Sequence, residues 1–335
     1  QIFLHLAANF SSEELEEIYL EISSGQNIYI AAMMNATYRF LPFIKFKRFL
    51  CQEHGSIAGF ILNSDPILPQ NSHTINIQKS KFLAKAFNTL TYKNVDTMNK
   101  LIKSVFKGKE YFLELKKFIE EDYFFLHGSL IYTCPMASVF ADLSSLSKLF
   151  DEIGIEQIFR DLEKYYQRNW PETEIDSIDA NLVYSLSFAL GIGNSIFQSE
   201  KSILLSDKEL IFNIEHEKKD IHLVNKPLDL IFNLLKKVYG QPGRDYSGDL
   251  KKLIKSFMDA DKQAPNEFLS YGDLLGILQT NYNVNRNFDS RNYFAHGGFE
   301  KNITEIKIEK DLVRVRYNEE VAITSKKKIL KYLKK

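Results

Sequence analysis

Cysteine is scarce: only Cys51 and Cys134 occur in 335 residues, with no Cys-x-x-Cys and no His/Cys cluster. That excludes a disulfide scaffold and a structural zinc site, and it suits a reducing cytoplasm. An excess of either charge is also missing, since 43 Lys+Arg meet 43 Asp+Glu. With no global basic field, any nucleic-acid site must be local or shared between subunits. No apolar run approaches the roughly 20 residues that span a bilayer. The longest, YSLSFALGIGNSIF and DYFFLHGSLIY, are broken by Gly, Ser or His, so no membrane partner is expected. Nothing reads as a signal peptide, an internal repeat or a low-complexity segment. His5, His54, His73, His127, His216 and His222 have no partners at metal-ligand spacing, so no metal site is expected. The chain begins with Gln rather than Met, and its natural start is expected upstream.

What is present divides by pattern. Residues 1–85 read as α/β. The strand candidate EEIYLEI (16–22) ends in the turn SSGQN (23–27). A long apolar-periodic helix follows, with a break or kink at Pro42. GSIAGFIL (55–62) is a second buried strand, and HTINIQ (73–78) alternates like an edge strand. Strand, helix, strand in that order predicts a parallel, Rossmann-like sheet. Such a sheet needs more strands, so either QIFLHLA supplies one or part of the domain precedes Gln1.

Residues 86–225 are mainly helical by three- and four-residue apolar spacing. The exception is KELIFNIEHEKKDIHLV (208–224), where two alternating runs flank a polar turn and predict a hairpin. Residues 226–335 return to helices, with a second hairpin in ITEIKIEKDLVRVRY and a basic last helix, SKKKILKYLKK. Further helices are expected in SKFLAKAFNTL (80–90) and LDLIFNLLKKVY (228–239).

The stretch RNYFAHGGF (291–299) stands out. Asp289 or Ser290 is a good N-cap and Gly297-Gly298 a good stop, so 291–296 is predicted to be a short helix. Asn292 and His296, four apart, share a face. Arg291 lies in the first turn, where a cation opposes the helix dipole; a phosphate there would meet free N–H groups and a guanidinium. An imidazole can move protons at neutral pH, a guanidinium can hold a phosphate, and an amide can orient either. These are the parts needed to cleave RNA by 2′-hydroxyl attack. One histidine cannot easily be acid and base at once, which points to a homodimer with a composite site. A capped helix with a histidine near its C-terminus is an adequate structural reading of the same residues. Arg286, in VNRNF, either lines an RNA cleft or decorates a loop.

The upstream turn allows two readings as well. Gly25 permits a tight turn, while Ser24, Gln26 and Asn27 offer hydroxyl and amide groups at a helix start. Neither a P-loop nor a GxGxxG follows, and capping alone explains the same residues.

RNYFAH has the Arg-Asn-x-x-x-His form of the HEPN ribonuclease motif. Followed by a β-hairpin, RNYFAHGGFE resembles the CARF–HEPN ribonucleases of type III CRISPR systems. The turn SSGQN is similar to the strand–turn–helix of CARF domains. The resemblance implies a CARF-like domain at 1–85, a helical region at 86–225 and a HEPN core at 226–335. It implies cleavage of single-stranded RNA without metal by paired HEPN domains, with Arg291, Asn292 and His296 as the catalytic set. It also implies cyclic oligoadenylate, with tetra-adenylate the expected form, as activator at Ser24, Gly25, Gln26 and Asn27. Two alternatives stay open: a nucleotide-sensing, nucleic-acid-binding regulator without cleavage, and an enzyme that degrades cyclic oligoadenylate itself.

Overall fold

The computed structural model describes residues 1–10, 15–21, 27–48, 57–64, 75–80, 90–132, 134–168, 177–204, 209–217, 220–225, 229, 248–259, 267–278 and 288–334. Ser24, Gly25, Gln26 and Arg286 lie outside these residues. So do nearly all of the helices expected at 80–90 and 228–239. The chain forms two compact units. The first is Gln1–Ile119 with Ser144–Ser195, and the second is Glu120–Leu143 with Ile196–Lys335. Segment 86–225 is thus shared between the two.

In the first unit, β1 (Glu17–Glu21) leads into α2 (Asn27–Arg48) and then β2 (Ala58–Ser64). The strands β1 and β2 pair in parallel, Glu17 opposite Ala58 and Glu21 opposite Leu62. β3 (Ile75–Ser80) closes the edge antiparallel to β2, giving the order β1-β2-β3. QIFLHLA is not a strand. It forms α1 (Ile2–Phe10), because Phe3, Leu4, Ala7 and Ala8 recur at helical spacing and are buried. α2 runs through Pro42 without ending. Phe40, Leu41, Phe43 and Ile44 are buried on both sides of the proline, and their packing holds one helix despite the lost N–H.

The core of this unit is aromatic. Phe3 of α1 meets Phe43 of α2 and Phe159 of α7 (Ile155–Arg168) edge-on, at 6.1 and 6.2 Å between ring centres. Buried Asp161 on α7 is satisfied by Lys109 Nζ at 2.9 Å and the Tyr111 hydroxyl at 2.7 Å. Among the described residues, α3 (Tyr92–Phe106), α4 (Phe112–Lys117) and α6 (Leu143–Ser147) also precede α7. A π-helical turn at Phe118–Asp122 joins α4 to α5 (Tyr123–Ile131). Against the expectation that no apolar run is long enough to span a bilayer, α8 (Ser177–Leu204) contains, in Ala180–Gln198, a stretch that is; most of it is buried within the fold.

The second unit is built on a five-stranded antiparallel sheet of order β5-β4-β8-β7-β6. The hairpin β4–β5 (Leu210–Glu217, Asp220–Val224) joins the hairpin β7–β8 (Thr304–Glu309, Leu312–Tyr317), with Phe212 opposite Val313. β6 (Leu269–Ser270) adds a short edge on β7. Period-2 alternation buries Thr304, Ile306 and Ile308 with Val313, Val315 and Tyr317 on one face. Among the described residues, α9 (Gly248–Asp259), α10 (Tyr271–Leu278) and α11 (Ser290–Ala295) lie between the hairpins in sequence. α12 (Glu319–Leu333) ends the chain, packed closely enough on α5 that a Cβ at Gly128 would lie 2.7 Å from Leu333.

Candidate active site

The six-residue helix α11 is fixed at both ends by local chemistry. Asp289 caps it, its side chain accepting from the N–H groups of Arg291 (2.9 Å) and Asn292 (3.3 Å). The expectation of free N–H groups facing a phosphate is therefore corrected. A carboxylate already occupies them, and it also offsets the arginine at the positive end of the helix. At the other end the His296 N–H meets the Asn292 carbonyl at 3.0 Å, and the Gly298 N–H meets the Tyr293 carbonyl at 2.8 Å. Gly297 and Gly298 stop the helix with φ of 62° and 87°.

The two central residues face inward. Tyr293 is fully buried, and its hydroxyl lies 3.0 Å from that of Tyr317, which is 3.0 Å from the Gly298 carbonyl. Burial pushes both phenols up, so both stay neutral, with the Tyr317 hydroxyl donating to that of Tyr293. Phe294 packs against Tyr132 and Tyr332 at 5.5 and 5.7 Å. With this face anchored, Arg291 and His296 are exposed and Asn292 is half-buried. Among the described residues Arg291 forms no ion pair, and the Asn292 side chain makes no hydrogen bond.

His296 does have a partner, one that no local pattern around residues 291–296 indicates. Its Nδ1 is hydrogen-bonded to the carboxylate of Asp249, in the first turn of α9. Lys252 Nζ lies 3.7 Å from the other oxygen of that carboxylate. The structure thus brings Asp249, 47 residues away along the chain, to the histidine, with Lys252 beside the carboxylate. Among the described residues no three His, Cys, Asp or Glu side chains converge as a metal-ligand set. Of the upstream turn, Asn27 is described: it is exposed and opens α2, six residues after β1 ends at Glu21.

Two residues after Gly298, Glu300 is fully buried. One of its oxygens accepts from the Asn302 N–H at 3.1 Å, while Oε1 has no partner. Burial, helped by the nearby negative charge of Asp289, pushes this carboxyl up to about 7 from 4.5. The folded state therefore holds the proton more tightly than the unfolded chain. The contribution of Glu300 to stability is fully present at low pH, is lost as pH rises from about 4.5 to about 7, and is flat above that. The Glu300→Gln variant is expected to lack this slope. In thermal melts it should match the native protein near about pH 5 and exceed it near about pH 8.

No curated protein matches the chain. Residues 221–319, from β5 through the start of α12 and including the whole of α11, match the family model described as CRISPR system endoribonuclease Csx1, HEPN domain. This region, with its Arg-Asn-x-x-x-His helix, is thus similar to the HEPN domain of a CRISPR-associated endoribonuclease.

Proposed function

We propose that this chain is a cytoplasmic, CRISPR-associated endoribonuclease that cuts single-stranded RNA by attack of a ribose 2′-hydroxyl on the adjacent phosphorus. The observation that carries this reading is the anchoring of α11. With Tyr293 locked in the core, Arg291 and His296 emerge on the surface of one rigid helix. Imidazole supplies proton transfer, and the guanidinium offsets charge building on the phosphate oxygens. Asn292 completes the set as a phosphate or sugar contact. None of these roles requires a metal ion. A second copy of the chain supplies the second histidine, so the working form is a homodimer or a larger homo-oligomer.

The same reading makes the first unit a sensor. Cyclic oligoadenylate, with tetra-adenylate the expected form, would bind at Ser24, Gly25, Gln26 and Asn27. The support is the resemblance together with the β1–α2–β2 order, whose strands pair in parallel. Binding would favour the arrangement in which two α11 helices meet.

The test is incubation of single-stranded RNA with the protein in EDTA, with and without cyclic tetra-adenylate, followed by mapping of the product ends. Fragments ending in 2′,3′-cyclic phosphate and 5′-hydroxyl are expected, formed faster with the activator. No cleavage under either condition, or cleavage that stops only on chelation, overturns the proposal.

Lys252 adds a prediction about affinity. It is 81% exposed at the side chain and stands one turn from Asp249 on α9, within reach of a strand lying over His296. Lys252→Ala is expected to weaken RNA binding severalfold across sequences, and to lower the salt slope of binding by about 1. Filter binding over a salt series with the uncleaved strand measures both.

A further inference from the structure

We infer that Asp249 is a positioning residue for His296, holding the ring with its proton on Nδ1 and leaving Nε2 as the nitrogen that exchanges protons. This rests on the ribonuclease reading above and adds a residue from a different helix to the site. The position of Asp249 is set by the core. Leu250, Leu253, Ile254 and Phe257 bury the inner face of α9, and the Tyr271 hydroxyl donates to the Asp249 carbonyl at 3.3 Å. One carboxylate oxygen receives His296 Nδ1, while Lys252 stands 3.7 Å from the other. An ionised carboxylate only accepts, so the imidazole nitrogen it meets must be the one carrying hydrogen.

The consequence for the reaction is specific. The ribose 2′-oxygen forms a bond to phosphorus as the bond from phosphorus to the 5′-oxygen breaks. Nε2 of one histidine takes the 2′-hydroxyl proton, and Nε2–H of the second copy's histidine gives a proton to the departing 5′-oxygen. The products are a 2′,3′-cyclic phosphate and a 5′-hydroxyl, with protons balanced. Either ring gains or surrenders its positive charge beside an Asp249 carboxylate, and with the other tautomer the proton-exchanging nitrogen would face Asp249 instead of RNA.

A structural role makes the opposite forecast. As a plain first-turn acid, Asp249 would add only helix stability, and its negative charge would repel RNA. Removing it would then tighten binding and leave cleavage equal or faster. Positioning requires slower cleavage in spite of equal or tighter binding.

The experiment is Asp249→Asn, measured for RNA affinity and for single-turnover cleavage at saturating RNA. Native protein carrying ¹⁵N-histidine is examined by NMR alongside it. We expect the cleavage rate to fall about tenfold or more with affinity unchanged or improved. The native His296 ring should show the Nδ1–H tautomer, and the variant a mixture. A native cleavage rate in Asp249→Asn beside an inactive His296→Ala overturns this inference alone. Native rates in both variants overturn the ribonuclease reading with it. An Nε2–H ring in the native protein overturns the inference whether or not the variant folds.

Discussion

Cleavage of single-stranded RNA by the His296→Ala variant is expected to fall about 100- to 10,000-fold, the span that a positioned acid or base contributes. His296 is an exposed residue at the C-terminal end of α11, so its removal leaves the Tyr293–Tyr317 anchor and the Asp289 cap in place. A matched melting temperature is expected beside the lost activity, and RNA affinity should change little. A variant that cuts at the native rate removes His296 from the mechanism. The paired arrangement adds a quantitative consequence. When native and His296→Ala chains are mixed in equal amounts and allowed to re-pair, only about one dimer in four holds two histidines. Activity near one quarter of native supports a cleft that needs both, and activity near one half points to two independent sites.

Legibility in the sequence followed the range of the interactions. α11 could be read almost to the residue because its limits are local. Asp289 caps the N–H groups two and three residues on, and Gly297 and Gly298 supply the left-handed backbone that ends it. Both hairpins were equally readable, since alternation and a polar turn are features of a short window. The joining of those hairpins through Phe212 and Val313 was not, because nothing local ties residues so far apart along the chain. QIFLHLA shows how a short apolar run misleads. It is compatible with a strand until Phe3 finds Phe43 and Phe159, and that packing decides for the helix. Asp249 failed to register for the same reason as the sheet. In sequence it is an ordinary acid in the first turn of a helix, and only the fold sets it against His296. Arg291, a cation that opposes the dipole at the start of α11, has its backbone N–H bonded to the capping carboxylate of Asp289.

Gly298→Ala is expected to be the costliest single-methyl change near the site, lowering stability by about 2 to 4 kcal/mol. Two separate causes add. At φ 87° any L side chain is strained, which costs roughly 1 to 3 kcal/mol. The new Cβ would also stand 2.8 Å from Met136 Cβ and 3.2 Å from the Tyr317 hydroxyl, closer than packed carbon atoms tolerate. Neither neighbour yields easily. Met136 is fully buried in the 3-10 turn Pro135–Phe140, and Phe140 stacks on the Tyr317 ring at 4.9 Å. Moving Tyr317 would break its hydroxyl contact with Tyr293, the tether that holds α11. Activity should therefore fall along with the melting temperature, in contrast to His296→Ala, where activity alone is lost. Gly297 provides the control. Its φ of 62° lies in the left-handed region that asparagine enters most readily, so Gly297→Asn should carry less backbone strain than Gly298→Ala. Melting curves of the two variants compare the positions directly. If Gly298→Ala melts with the native protein, the turn has freedom to move, and the rigid anchoring of Arg291 and His296 on which the proposed activity depends is lost with it.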